Sequence, residues 1–152
     1  MTGSSLPENA QHVTVRVEVP RGGRVKRELH GEQPKFDYWS PIGSPFNYGF
    51  IEGHPGEDGD PLDALVLGEP AEAGALLPCI VLGVIRFIDA GQPDDKWVCG
   101  NAPISDGDIR KINWFFQAYS WIKKPLQWLR GERGQTAFIG FERDVTLPSP
   151  RD

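Results

Sequence analysis

Three carboxylates lie within six residues at positions 58–63, where the sequence reads DGDPLD. Gly, Pro and Leu separate Asp58, Asp60 and Asp63, and an apolar run, ALVL, follows directly. Two unit charges about 4 Å apart near a protein surface repel each other by roughly 4 kcal/mol, so a fold that gathers these groups must bind a cation or raise a pKa. Oxygen ligands suit Mg²⁺ or Mn²⁺ rather than Zn²⁺. Carboxylates with such a metal are typical of phosphate chemistry.

The same segment has two other interpretations. Asp, Gly and Pro are the usual residues of solvated turns, so the segment by itself also fits a turn. A calcium loop that begins at Asp58 is disfavoured, because Leu62 and Asp63 would then occupy its fifth and sixth positions. Those positions require an oxygen ligand and a glycine.

The totals describe one acidic globular domain. The chain has 152 residues, of which 39% are hydrophobic and 24% charged, and its net charge is −5. This composition is ordinary for a domain with a real core, and the negative charge argues against a broad nucleic-acid surface. Two cysteines are too few for a disulfide framework, and Cys79 lies in an apolar run. We see no signal peptide or membrane span, so we expect a cytoplasmic protein without a membrane partner.

Several short segments have the pattern of β-strands. Residues 13–19 alternate apolar and polar side chains, which predicts a half-buried strand. A Pro-Gly turn at 20–23 and a second strand at 25–29 predict a hairpin. Further strands are predicted at 48–52, 64–67, 79–87, 96–99 and 137–141. Many short strands with turns between them favour a barrel or a curled sheet.

One helix is predicted after residue 104. Ser105 or Asp106 can cap it, and apolar residues from Ile109 to Ile122 recur at helical spacing. Pro125 should kink or end this helix. We expect a single domain over residues 13–145, between flexible tails at 1–12 and 146–152.

Six sequence blocks, in order, resemble the soluble family I inorganic pyrophosphatases. The 58–63 segment with Ala64 matches that family's signature, and a block reading NYGFI comes before it, with Tyr48 ten residues before Asp58. The other blocks are EVP at 18–20, KRE at 26–28, the acidic loop from Asp89 through Asp94 to Lys96, and FFQAY at 115–119. The resemblance covers residues 13–141.

The resemblance implies an α+β, mainly β fold: an OB-like five-stranded barrel with flanking helices. It implies Mg²⁺-dependent hydrolysis of inorganic pyrophosphate by a homo-oligomer, with Mn²⁺ as another possible metal. Asp60 would be the base for the attacking water, and Glu18 would orient water. Phosphate or metal-bound water would be contacted by Lys26, Tyr48, Lys96 and Tyr119, and the metal ligands would be Asp58, Asp63, Asp89, Asp94 and Glu28.

Three positions depart from the family pattern. Phe36 stands where the family has an arginine, Ser44 where it has a tyrosine, and Ser120 where it has a lysine. The missing arginine and lysine would bind the leaving phosphate. Lys35 is our first choice as a substitute cation in the substrate site, and Lys123, Lys124 and Arg86 are further candidates. Two alternatives therefore stay open: a hydrolase of another phosphoanhydride, and a metal- or phosphate-binding protein that has lost turnover.

Overall fold

The computed structural model describes residues 10–22, 25–27, 36–39, 45–55, 61–129, 131, 134–143 and 145–147. Over these residues the chain forms nine strands and one helix. The strands are β1 (His12–Val19), β2 (Val25–Arg27), β3 (Phe36–Trp39), β4 (Asn47–Pro55), β5 (Pro61–Val66), β6 (Leu76–Asp89), β7 (Gln92–Pro93), β8 (Lys96–Gly100) and β9 (Ala137–Arg143), and the helix α1 spans Asp106–Leu129. No helix in the described ranges combines the length and the apolar character that a membrane span needs.

Five of the strands close into a barrel. The pairs are β1 with β4, β4 with β5, β5 with β8, β8 with β6, and β6 with β1; all are antiparallel except β5 with β8. Strand β6 has 14 residues, so its first part closes the barrel on β1 and its second part pairs with β7 and β9. The expected mainly β, OB-like five-stranded barrel is confirmed. In place of several flanking helices, the described residues contain the one helix α1.

The apolar residues divide into two clusters because successive side chains of a strand face opposite sides. Ala64 and Val66 of β5 belong to a cluster with members from all five barrel strands, which is therefore the barrel interior. Leu65 faces the other way, into a cluster that includes Ile112 and Phe116 of α1. The strands under the helix are thus apolar on both faces, which explains their continuous hydrophobic sequence.

Helix α1 begins at a reciprocal cap. The Asp108 N–H donates to Ser105 Oγ at 3.0 Å, and the Ser105 N–H donates to Asp108 Oδ2 at 3.1 Å. Ser105 is therefore the capping residue of the two that we considered. The helix does not end at Pro125 but continues to Leu129. Since proline has no N–H, the Trp121 carbonyl lacks the helical hydrogen bond that residue 125 would otherwise supply.

The predicted hairpin of β1 with the 25–29 segment is wrong. Strand β1 pairs with β4 and β6, and both of its edges are needed to close the barrel. Strand β2 instead pairs with β3, a strand that the sequence pattern did not predict.

Ordered contacts reach into both predicted tails. The Leu147 side chain is buried in the barrel cluster, and its N–H donates to Gln11 Oε1 at 2.7 Å. The domain bounds of 13–145 remain a prediction, but these two residues belong to the folded contacts beside them.

Gly49 is required where β4 pairs closely with β1. A Cβ atom at this position would lie 1.8 Å from the Arg16 carbonyl oxygen, and backbone atoms cannot yield as a flexible side chain can. Val17 pairs with Gly49 and Val19 with Tyr48, so Glu18 is the extra residue of a bulge at this crossing. The glycine thus allows the two strands to approach closely beside Tyr48 and Glu18.

We expect Gly49→Ala to lower the free energy of unfolding by at least about 3 kcal/mol, because overpacking against backbone forces the strands apart. Gly140→Ala is the matched control in strand β9, since an added Cβ there meets no atom within 4 Å. That control should change stability by less than about 1 kcal/mol. Urea denaturation of both variants measures the difference, and a Gly49→Ala protein as stable as wild type would contradict the close approach.

Candidate active site

A buried lysine between two aspartates forms the centre of the candidate site. Strands β5 and β8 are parallel neighbours in which Ala64 pairs with Trp97, so Asp63 and Lys96 lie side by side on the face that turns towards α1. Lys96 Nζ donates to Asp63 Oδ2 at 3.1 Å and to Asp94 Oδ2 at 2.8 Å. Strand β5 and the acidic loop before β8 are therefore joined by one ammonium group.

The ion pairs are protected on the lysine side and open on the carboxylate side. The Lys96 side chain is 6% exposed, whereas those of Asp63 and Asp94 are 24% and 30% exposed. Burial works against the charged form of Lys96, but the negative charges of Asp63 and Asp94 beside it raise its pKa well above the usual range. Lys96 is therefore a fixed positive charge. It holds two carboxylates that are partly open to solvent.

Tyr48 lies against this charge cluster from β4. Its ring centroid is 5.9 Å from Lys96 Nζ, and the side chain is buried. Burial, followed by the negative charge of Asp63, raises the pKa of Tyr48 well above its ordinary value. The phenol therefore stays neutral and keeps a proton that it can donate.

Helix α1 brings Tyr119 to the same cluster. The ring of Tyr119 stacks on Phe115 at 6.1 Å between centroids and lies 5.8 Å from Phe87 of β6. Its hydroxyl is close enough to interact electrostatically with Tyr48 and Lys96. Residues from β4, β5, the loop before β8, and α1 thus converge, although 71 residues separate Tyr48 from Tyr119.

Glu18 and Asp89 lie on elements that adjoin the cluster. Glu18 is the buried bulge residue of β1 beside Tyr48. Asp89 ends β6, where it pairs with Gln92, and the Asp94 N–H donates to the Phe87 carbonyl at 2.8 Å across the same hairpin. Arg16, which could have paired with Glu18, forms its ion pair with Glu52.

The remaining predicted site residues are not located by this structure. Asp58, Asp60, Glu28 and Lys35 lie outside the described residues, and Lys26 is described only as a backbone position of β2. Their roles stay predictions from the resemblance.

Asn47 is a positioning residue to which the sequence analysis assigned no role. Its Oδ1 accepts from the N–H groups of Arg21 and Ala71, both at 2.9 Å, and its Nδ2 donates to the Glu69 carbonyl at 2.8 Å. The buried amide therefore ties the ends of β1 and β5 to the start of β4, directly before Tyr48. The only feature of the sequence that could have indicated this role is an amide side chain at the start of a strand that must be buried.

The donor chemistry of this site fits a hard divalent cation. Two carboxylate oxygens point at the same cation, Lys96 Nζ, and both carboxylates are partly open to solvent. Such oxygens are the ligands that Mg²⁺ and Mn²⁺ prefer. Within the described residues no group of three His, Cys, Asp or Glu side chains could hold a metal. A metal ion bound by Asp63 and Asp94 would therefore need further ligands from elsewhere in the chain.

A mainly β barrel carries here a buried lysine with two carboxylates that are partly open to solvent, a set of groups that suits a metal-bound phosphate compound. The sequence profile of the inorganic pyrophosphatase family matches residues 15–133. The chain belongs to this family, which is metal-dependent.

Named relatives and solved structures agree with this assignment. The inorganic pyrophosphatase of Streptomyces coelicolor is 35% identical over 122 residues, 69% of this chain and 75% of that protein. That of Haemophilus influenzae is 37% identical over 131 residues, 74% of each protein. The Thermus thermophilus enzyme superposes with a TM-score of 0.71 at 28% identity, covering 92% of this chain and 88% of its own. The Neisseria gonorrhoeae enzyme does so with a TM-score of 0.68 at 29% identity, covering 87% and 82%.

We expect Lys96→Met to lower the free energy of unfolding by about 1–3 kcal/mol in metal-free buffer, because Asp63 and Asp94 then lose their shared counter-charge. Added Mg²⁺ should recover stability in this variant, since the cation can neutralise the same carboxylates. Thermal unfolding with EDTA and with Mg²⁺ measures both effects.

Arg86→Met is the matched control for Lys96→Met. Arg86 pairs with Asp95 and Glu142 at the surface, so its loss should cost less than about 1 kcal/mol. It should also leave the response to Mg²⁺ as in wild type. Equal behaviour of the two variants would contradict a special role for Lys96.

Proposed function

We propose that this protein hydrolyses inorganic pyrophosphate to two phosphates in the cytoplasm, using Mg²⁺ and accepting Mn²⁺. The observation that carries the proposal is the convergence of Asp63 and Asp94 on buried Lys96, within a chain that belongs to the pyrophosphatase family. A carboxylate pair open to solvent and a fixed cation are what binding a metal–pyrophosphate complex requires.

Asp63 and Asp94 would hold Mg²⁺ together with Asp58, and Asp89 and Glu28 would serve further metal ions. Bound Mg²⁺ supplies charge neutralisation of the substrate and makes a water molecule more acidic. Asp60 takes the proton from the attacking water, which Glu18 orients. A positioned base of this kind typically contributes 10²–10⁴-fold to the rate.

Lys96, Tyr48 and Tyr119 would bind the phosphoryl oxygens. Lys96 keeps its charge because the acidic groups around it raise its pKa, and Tyr48 keeps its proton because burial raises its pKa. Both are therefore hydrogen-bond donors held in place before the substrate arrives, and preorganised donors stabilise charge at little further cost. Lys26 would add a further donor from β2.

The subsite for the leaving phosphate must differ from the family pattern. Ser120, which replaces the family's lysine, is 1% exposed, and its hydroxyl donates to the Gln117 carbonyl at 2.7 Å. Arg86 is paired with Asp95 and Glu142. Ser120 carries no charge and the charge of Arg86 is already paired, so Lys35 stays our first substitute and exposed Lys124 follows.

The altered subsite keeps a second candidate function: hydrolysis of a larger phosphoanhydride. Phosphate release should be measured with Mg²⁺ from pyrophosphate and from a panel of nucleotide and organic pyrophosphates. We expect pyrophosphate to give the highest kcat/KM, and activity to vanish in EDTA and return with Mg²⁺. A clear preference for a larger substrate would favour the second candidate, and metal binding without any turnover would indicate a binding protein.

We expect Phe36→Arg to lower the KM for pyrophosphate, because it restores a cation that the family carries. Ser120→Lys should instead destabilise the fold by about 1–3 kcal/mol, since a lysine at this buried helix position displaces packed atoms. Steady-state kinetics and thermal unfolding of the two variants distinguish them. A Ser120→Lys protein of wild-type stability and improved KM would mean that this side chain can reach the substrate.

The variants Asp60→Asn and Asp63→Asn should distinguish the residue that accepts the proton from the residue that binds the metal. We expect Asp60→Asn to lower kcat by 10²–10⁴-fold at unchanged Mg²⁺ affinity, because it removes a proton acceptor and keeps the shape. Asp63→Asn should chiefly weaken Mg²⁺ binding, measured by calorimetry. Asp95→Asn is the control, because this neighbour of Asp94 pairs with Arg86 instead of Lys96. A full rate in Asp60→Asn would assign the base elsewhere.

A further inference from the structure

The turn between β6 and β7 has a backbone conformation that its own sequence does not favour. Asp89 pairs with Gln92 across this turn, so Ala90 and Gly91 are its two central residues, and their φ angles are 53° and 82°. Two-residue hairpin turns with positive φ at both centres usually carry Asn-Gly, Asp-Gly or Gly-Gly, because a Cβ atom is strained in this region. Ala90, the one described non-glycine residue with a positive φ, therefore needs support from outside the turn.

The segment directly before β9 supplies that support. The Ala90 N–H donates to Thr136 Oγ1 at 3.1 Å, and the Gly91 N–H donates to the Gln135 carbonyl at 2.8 Å. The internal hydrogen bond of a β-turn uses neither of these two central N–H groups, so both depend on acceptors elsewhere. They find them on one short segment, residues 134–136, which we call the turn clamp.

The turn clamp also fits the turn by shape. An added Cβ atom at Gly134 would lie 2.5 Å from both the carbonyl carbon and the carbonyl oxygen of Ala90, so backbone packs directly on backbone. Ala137 follows the clamp and pairs with Ile88, which continues the contact into the ladder between β6 and β9. The Thr136 side chain is 2% exposed, so little water competes for its hydrogen bond with Ala90. The turn is thus held in one conformation by a segment that the sheet itself anchors.

The clamped turn connects two aspartates of the candidate site. Asp89 directly precedes its two central residues, and Asp94 follows in the same hairpin. Asp94 is fixed on its own side, since its N–H donates to the Phe87 carbonyl at 2.8 Å and its Oδ2 accepts from Lys96 at 2.8 Å. The conformation of a hairpin turn sets the register of its strands. The turn therefore decides where Asp89 lies relative to Asp94.

We propose that Thr136 is a positioning residue for the metal site: by accepting the Ala90 N–H, it holds the strained turn and so places Asp89 and Asp94 for Mg²⁺. This inference rests on the proposed function, which assigns both aspartates to metal ions. Thr136 acts through the backbone of the turn and is assigned no contact with the substrate. Partners of this kind, one step behind the metal ligands, typically change metal affinity about 10–100-fold when they are lost.

Amide hydrogen exchange, followed by nuclear magnetic resonance in EDTA, tests the contact without a metal ion. Thr136→Val keeps the shape of the side chain and removes the acceptor, so the Ala90 amide should exchange at least about tenfold faster than in wild type. Thr136→Ser keeps a hydroxyl and should restore slow exchange. Thr14→Val is the matched control, because Thr14 pairs with Pro78 near the start of β6 and the turn follows the end of that strand.

Calorimetric titration with Mg²⁺ tests the consequence for the site. We expect Thr136→Val to weaken Mg²⁺ binding about tenfold or more, while Thr136→Ser and Thr14→Val bind as wild type does. Ala90→Gly removes the Cβ atom that is strained at positive φ, so the double variant Ala90→Gly, Thr136→Val should recover most of the lost affinity. A residue that only stabilised the fold would lower the melting temperature and leave Mg²⁺ affinity unchanged.

Two results would overturn the positioning role. One is an Ala90 amide that exchanges equally fast in wild type and in Thr136→Val. The other is an unchanged Mg²⁺ affinity in a Thr136→Val protein whose Ala90 amide exchanges faster. A wild type that binds no Mg²⁺ would instead refute the proposed function, and with it the metal role of Thr136, whereas the exchange rates would still show whether Thr136 holds the turn.

Discussion

The pairing of Lys96 with Asp63 and Asp94 is the interaction on which the site depends. A buried ammonium is costly unless it is paired, and two carboxylates close together repel unless a cation lies between them. Here the two aspartates pair with the buried ammonium, and the ammonium neutralises the repulsion between the aspartates. The lysine side chain is 6% exposed, and both aspartates are within hydrogen-bond distance of it. Strand β5, through Asp63, and the loop before β8, through Asp94, are held together in this way.

The parallel pairing of β5 with β8 makes that contact possible. Parallel neighbours begin at the same edge of a sheet, so residues at or just before the two strand starts lie side by side. The antiparallel pairs around the barrel would bring a strand start to a strand end instead. One parallel pair in an otherwise antiparallel barrel thus collects the charges at one end of the two strands, where both carboxylates remain partly open to solvent.

Three adjacent residues of β4 have three different duties. Asn47 satisfies backbone groups of two loops, Tyr48 places its phenol beside Lys96, and Gly49 permits the close crossing with β1. A substitution of Asn47 or Gly49 would act on the site by moving Tyr48. Helix α1 is divided in a similar way, since one side carries Tyr119 into the site and the other presents tryptophans to solvent.

The sequence by itself determined the family, the barrel and most strand positions, because alternating and continuous apolar runs directly record which faces are buried. The ordered motif blocks also singled out Asp63, Asp94, Lys96, Tyr48 and Tyr119, which the fold brings close together. The partners of β1 and β2, the role of Asn47 and the burial of Ser120 were decided by tertiary structure. Each depends on contacts between distant segments: closing the barrel uses both edges of β1, and helix packing selects which residue of α1 turns inward. Local pattern contains no record of such contacts, since the same alternation fits a strand whichever neighbour it pairs with.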